Sequence, residues 1–188
     1  MERAERILVP LADGFEEIEA VTIVDVLRRA ELDVTVAGLA AGPVAGSHGI
    51  PVVPDAAIGE LDLGVFTMIV LPGGMAGTQR LMRDERVLGL VRRLSGEGRR
   101  TAAICAAPLV LHAAGVIQGV PVTSHPSVRA QLSGADVRDR PRVLHSGPVT
   151  TSQGAGTAME FALALVAELR GRERAEALAA AMVVAPTR

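Results

Sequence analysis

Cysteine occurs once in the chain, at position 105, in the run AAICAAP between an apolar stretch and a segment of helical character. A thiolate is a strong nucleophile, and a strand-to-helix elbow presses such a side chain outward while demanding small neighbours. Ala103, Ala106 and Ala107 supply them. A thiol at a helix start also feels the positive end of the helix dipole, which favours ionisation below the ~8.5 of a free cysteine. The other use of a lone Cys is as a buried structural residue. Glu16 and Glu19 stand one helical turn apart in GFEEIEAV, so either can face a neighbouring strand end while Glu17 points elsewhere. A carboxyl beside a cysteine can stay protonated, donate a hydrogen bond to sulfur, or shuttle a proton. Acids that merely complement the helix dipole are the alternative. His125, in TSHP, lies just past an apolar run and is placed as an acid or base.

Other chemistries lack their residues. The histidines at 48, 112, 125 and 145 form no i,i+3 or i,i+4 pair and HExxH is absent, so no metal site is expected. His112, among Leu and Ala, reads as a packed or surface residue. Lysine is absent altogether, which excludes Schiff-base catalysis, pyridoxal phosphate attachment and a Walker A loop. The run GAGTAM at 154–159 begins like GxGxxG but lacks the third small residue and a following βαβ unit, so it reads as a tight helix entry. No cofactor is expected.

The elements that must position these groups alternate between strand and helix, the pattern of a sheet covered on both faces. Strands are expected at 6–11, 34–38, 66–71 and 100–104, with short ones at 120–124, 143–145 and 149–152. Helices are expected at 16–30, 84–95, 106–114, 157–170 and 173–185. The first would bury Ile18, Val21, Val24, Leu27 and Ala30, with Asp13 as its cap. The Gly/Pro-rich stretch 42–63 reads as turns with one or two short edge strands. Pro72-Gly73-Gly74, after the third long strand, is a turn where backbone amides can be exposed. The acidic run at 14–19, this turn and Cys105 each follow the carboxyl end of a strand, the edge where open α/β sheets place their sites.

The chain is 188 residues long, 49% hydrophobic and 21% charged, with no linker long enough to divide it, so residues 1–188 read as one domain. A net charge of -2, no Trp or Tyr and three Phe give no reason to expect nucleic acid. No apolar run reaches the ~20 residues of a membrane span, and the apolar run at the N-terminus is too short for a secretory signal. One cysteine makes no internal disulfide, and a cytoplasmic location is expected.

The strings RILVPLADGFEEIEAV, VDVLRRA, VTVAGL, IVLPGGMAG, AAICAAP, VTSHP and TSQGAGTAMEFALALV resemble the ThiJ/PfpI superfamily in order and spacing, from about residue 6 to 186. The resemblance is closest to the branch of the parkinsonism-associated protein deglycase and bacterial YajL. It implies an α/β fold, a flavodoxin-like three-layer sandwich with a mostly parallel sheet. It implies Cys105 as nucleophile, Glu19 as a protonated carboxyl against its sulfur, and His125 near the sulfur. Backbone amides of Gly74 and Ala106 would form an oxyanion hole. It also implies a homodimer through the first-helix region. Protease-like relatives carry His after the nucleophile, where this chain has Ala106, so a peptidase mechanism lacks its base. The close branch usually has Gly at Ala107, and often Arg at His48 and Gln153. Losing those cations argues against an anion-dependent substrate preference.

Two function classes share this thiol. One is a glyoxalase III or deglycase-type enzyme taking a small reactive aldehyde or glycated substrate to a hydroxy acid, without metal or glutathione. The other is a redox-responsive chaperone or oxidative-stress sensor working through oxidation of Cys105 to a sulfinate. A different hydrolase or hydratase of the superfamily is the third possibility.

Overall fold

A computed structural model describes residues 5–185. In chain order its elements are β1 (Arg6–Leu11), α1 (Glu17–Arg29), β2 (Asp33–Gly38), β3 (Val44–Ala45), β4 (Pro51–Val52), β5 (Ala56–Ala57) and β6 (Met68–Leu71). Then come α2 (Met75–Leu81), α3 (Glu85–Gly96), β7 (Arg100–Ile104), α4 (Pro108–Ala113), β8 (Pro121–Val122) and β9 (Asp136–Val137). The chain finishes with β10 (Val143–Ser146), β11 (Val149–Ser152), α5 (Ala158–Arg170) and α6 (Arg172–Ala181).

Alternate side chains of the central strands enter different cores, as the period of a pleated strand requires. Ile7, Val9, Met68, Val70 and Ala102 pack with Ile23 and Leu27 of α1 and Phe161 and Leu165 of α5. Leu8, Ile69, Leu71 and Ala103 pack with Val87, Val91 and Leu94 of α3 and Val110 of α4. The sheet is therefore covered on both faces, which is why its strands read as continuous apolar runs. This is the expected α/β sandwich.

The main sheet has seven strands in the order β10-β11-β7-β6-β1-β2-β5. All its pairings are parallel except β10 with β11. From β1 the chain winds outward to β2, then returns to place β6 on the other side of β1. Loops leaving β1 and β6 consequently diverge, opening a crevice at their carboxyl ends. The loop after β7 closes its third side.

Several local expectations change. Glu16, not Asp13, occupies the α1 cap position and makes no side-chain cap bond; Asp13 Oδ1 instead accepts from the amide of Ala45 at 2.9 Å. The buried stripe of α1 is Ala20, Ile23, Val26, Leu27 and Ala30, whereas Ile18 and Val21 are exposed at 58% and 52%. The helix is rotated because α1 packs against both the sheet and α5 through the first set. Helix α2 was not expected: it is short, contains Gly77 and shows no apolar period. The strand expected at 120–124 shrinks to β8, which pairs with β9 in a separate two-stranded sheet. The last helix ends at Ala181, before a turn in which Val183 takes a φ of 56°. The GAGTAM run is the tight entry to α5, with Thr157 bonded back to Gly154 O at 2.8 Å. Among the described residues no helix is long and apolar enough to cross a membrane.

The loop after β1 meets the start of α2 at a glycine contact. Gly14 has φ +84°, and a Cβ there would lie 2.6 Å from the Ala76 Cβ. This closeness lets the amide of Gly77 donate to Gly14 O at 3.2 Å, while that of Glu16 reaches Gly73 O at 2.9 Å. Gly14→Ala is expected to lose about 2 kcal/mol, from left-handed strain and the clash together. Urea unfolding would show this as a lower midpoint at unchanged m; an unchanged midpoint would mean that the loop yields.

Candidate active site

Cys105 has a backbone φ of 65°, the left-handed region that β-carbon-bearing residues avoid. Hydrogen bonds hold it there from both sides. Its amide donates to Ser152 O at 3.0 Å, and its carbonyl accepts from the His125 amide at 2.8 Å. Gly73 makes the space. A Cβ at position 73 would lie 2.6 Å from the Cys105 Cβ and 2.6 Å from Glu19 Oε2. Ala107 sits at φ -63°, so alanine in place of glycine causes no strain there. The elbow is therefore built, but α4 starts only at Pro108, and Cys105 stands in the turn before it.

Glu19 comes from the first turn of α1 and is fully buried. Its Oε2 accepts from the Gly73 amide at 2.8 Å, and the carboxyl and the Cys105 side chain both lie against Gly73. Oε1 is buried without a hydrogen-bond partner among the described residues, a position that costs an anion more than a neutral carboxyl. Burial pushes Glu19 up to about 7, against the pull of the Gly73 amide and the thiol. Burial, then the charge of Glu19 and its hydrogen bond, push Cys105 up to about 12, while the amides of Gly74 and Ala106 pull it down. The helix-dipole argument for a lowered thiol is thus corrected: desolvation dominates, and the donors acting on sulfur are those two amides. The second and third upward causes exist because Glu19 is an anion. Protonating Glu19 removes those two causes and leaves burial as the one that still holds the thiol up.

Around the sulfur lies a cavity of about 310 Å³, floored by Cys105, Gly74 and Ala106 and walled by Met75, Glu16, His48 and His125. The structure thus brings together Cys105, Glu19, His125, Gly74 and Ala106, from four separate stretches of chain. The His125 ring lies with Nδ1 2.7 Å from the Ser127 hydroxyl and accepts the Ser127 amide at 3.3 Å. Opposite fates befall the remaining departures from the family pattern. His48 is a wall of the cavity, while Gln153 turns away to the carbonyls of Asp139 and Pro141 at 3.0 and 2.8 Å. His112 bonds Ser133 O, and His145 faces Glu168; both lie outside the cavity wall.

Glu17 points away from the sulfur, as the helical spacing requires, and its role was not legible beforehand. It is buried beneath the 46–50 loop, accepting from the His48 amide at 2.6 Å and the Ser47 hydroxyl at 3.0 Å, with His48 Nδ1 at 3.1 Å. Burial alone would raise it; hydrogen bonds from His48, its own amide and Ser47 outweigh that and hold it at about 2. Glu16, Glu17 and His48 bring ligand-type atoms within 4.8 Å of one another, but they are engaged with each other and with Ser47, so the set closes on itself. Ser127 is the residue the sequence could have pointed to, since a Ser just past His125-Pro126 sits where a turn lets it reach back to the ring.

Residues 5–168 match the model of the DJ-1/PfpI family. The chain belongs to that family. It is 41% identical over 180 residues to protein dj-1beta of Drosophila melanogaster, covering 95% of this chain and 96% of that protein. The crystal structure of Drosophila melanogaster DJ-1beta superposes with a TM-score of 0.94 at 39% identity, covering 97% of this chain and 100% of that one. The glutathione-independent glyoxalase DJR-1.2 of Caenorhabditis elegans is 36% identical over 179 residues, 94% of each chain.

The raised pKa of Glu19 has a signed effect on stability. Protonated Glu19 stabilises the fold fully below its unfolded value of 4.5, and that stability is lost as pH rises through about 7. The change is on the order of 3 kcal/mol for this shift. Urea midpoints measured between about pH 5 and 8 should fall for the wild type and stay nearly level for Glu19→Gln. Equal slopes for both proteins would remove the buried proton from the site.

Proposed function

We propose that this protein is a cysteine-dependent, cofactor-independent enzyme that converts 2-oxoaldehydes to 2-hydroxy acids, a glyoxalase or deglycase-type activity. The observation carrying this reading is the Cys105 sulfur opening into the cavity beside Gly74 and Ala106, with the fully buried carboxyl of Glu19 next to it. The likeness to a glutathione-independent glyoxalase supports it.

Sulfur attacks the aldehyde carbon, forming a C–S bond. The proton that leaves sulfur passes to Glu19 and on to the new alkoxide, giving a hemithioacetal. The amides of Gly74 and Ala106 serve as the donors for developing negative charge. A hydrogen then moves from the former aldehyde carbon to its neighbour, with Glu19 handling the proton at the sulfur and His125 among the proton-handling groups of the cavity wall. Carbon one is oxidised and carbon two reduced, so no external oxidant enters. Water cleaves the resulting thioester, releasing the hydroxy acid and the thiol. Early glycation adducts, which are aldehydes condensed with amines or thiols, fit the same steps.

A second reading rests on the same sulfur. A protonated carboxyl beside two amides also suits the oxygens of a sulfinate, which would make the protein a redox sensor or chaperone. We place the protein in the cytosol, where its single thiol stays reduced. We also infer a homodimer through the outer face of α1. Ile18, Val21, Ile50 and Val53 are exposed there, beside an apolar groove lined by Val24 and Val52. The groove lies away from Cys105 and contains no nucleophile, so a second copy of the chain is its fitting occupant.

Lactate formation from methylglyoxal without glutathione is the direct test. Wild type should produce it, Cys105→Ser should produce none while remaining folded, and a chelator should change nothing. Aldehyde consumption without lactate, combined with ready oxidation of Cys105 to the sulfinate, would transfer the assignment to the sensor. For the dimer, Val21→Glu should halve the mass seen by sedimentation; a wild-type monomer would end that inference.

A further inference from the structure

The hydrogen shift needs a base for the hydrogen on carbon one and an acid for the oxygen on carbon two. The two imidazoles on the cavity wall are held in opposite tautomers. His48 Nδ1 lies 3.1 Å from Glu17 Oε2 and 3.0 Å from the Ser47 hydroxyl. Glu17 also accepts the amides of His48 and Ile50, at 2.6 and 3.4 Å, and the Ser47 hydroxyl at 3.0 Å. So solvated by donors, it is an anion with no proton to give. Nδ1 of the neutral His48 ring is therefore the N–H, and Nε2 carries the lone pair. His125 is the reverse: its Nδ1 accepts the Ser127 amide at 3.3 Å, so its proton sits on Nε2.

We propose that His48, oriented by Glu17, is the general base that takes the hydrogen from carbon one of the hemithioacetal, and that His125 is the acid that protonates the oxygen on carbon two. The inference rests on the glyoxalase reading above. His48 Nε2 takes the proton, and the C–H electron pair forms a double bond between the two carbons. The carbonyl pair on carbon two moves to its oxygen, which receives the proton of His125 Nε2. His48 then returns its proton to carbon two, and the hydroxyl on carbon one becomes the thioester carbonyl as its proton passes back to His125. Every proton is accounted for, and both rings return to their starting tautomers.

Two other assignments fit less well. Glu19 is fully buried, with Gly73 and the sulfur as its neighbours, which confines it to protons at the sulfur side. Capture of an anionic substrate by protonated His48 fails on charge. Glu16 and Glu17 both face the ring, at 3.7 and 3.1 Å, and among the described residues no arginine lines the cavity. The rim is net negative even when His48 is charged, so it suits uncharged oxoaldehydes.

The groups that set the ring's protonation are Glu16 and Glu17 at α1, Ser47 beside it, and Cys105 and His125 across the cavity. The hydrogen bond of Glu17, then the charges of Glu16 and Glu17, raise the pKa of His48. A base works in its deprotonated form, so the rate should climb with pH through that raised value.

The test is methylglyoxal-to-lactate kinetics over about pH 5 to 9 for wild type, His48→Gln and His48→Arg, with iodoacetamide labelling of Cys105 in parallel. Because the His48 side chain is 70% exposed, both variants should fold. Each should lose roughly a hundredfold in kcat and the ascending limb of the profile. Arginine fares no better because it cannot accept a proton. Methylglyoxal should still shield Cys105 from iodoacetamide in both, since adduct formation precedes the base step. Full-rate lactate from His48→Gln, a retained limb, or wild-type activity in His48→Arg would overturn the assignment and leave the glyoxalase reading standing. No lactate from the wild type would remove both.

Discussion

The backbone of Cys105 is bent into a left-handed conformation and clamped there by the carbonyl of Ser152 and the amide of His125. Such a conformation costs about 1–3 kcal/mol and persists only where the surroundings over-determine it. Here they do. The Ser152 bond continues the parallel pairing of β7 with β11, so the sheet itself fixes one end of the clamp. Gly73 and Gly74 must lack side chains for the β6 exit to approach the sulfur, and Gly14 must lack one for the β1 exit to lie beside them. Removing any one of these glycines presses one loop against another, so the site and the carboxyl edge of the sheet stand or fall together.

Two glutamates on one helix, two residues apart, show how environment divides roles among identical side chains. Glu19 faces inward and finds one amide and a thiol, too little to support a charge without water. Glu17 is also buried, though nearer the surface, and it receives several donors from the 46–50 loop and remains an anion. Donor count and depth together separate them. The first acid governs the proton at the sulfur. The second anchors the loop bearing His48 to the helix bearing Glu19, so the wall of the cavity is tied to its chemistry through a single carboxylate.

Much of this was legible before the structure. Long apolar runs at 6–11, 66–71 and 100–104 mark buried parallel strands because both their faces are covered, and the Gly-Gly turn and the alanine-flanked cysteine announce close backbone approach. Cys105, Glu19, His125, Gly74 and Ala106 could be named in advance, on the strength of a family resemblance more than of spacing. The orientation of α1 could not. Ile18 and Val21 fit a helical apolar period as well as Ile23 and Val26 do, and only the position of α5 decides which stripe is buried. Nor could the tie between Glu17 and His48, which spans 31 positions and depends on how the 46–50 loop folds back. Nor does the sequence show the direction of the thiol's shift, since a helix start is visible in it and the depth of the sulfur is not.

Cys105 packs against both hydrophobic clusters, one on each face of the sheet, and Gly73 seals the remaining side at van der Waals distance. The sulfur therefore has a single open direction, toward the cavity. A planar carbonyl arriving there shows one of its two faces to sulfur, and the cavity walls that carry His48 and His125 are not mirror images of each other. Chemistry at this thiol is handed. A new stereocentre made beside it is set by the chirality of the pocket, and that handedness descends from the twist of the strands that placed the cysteine.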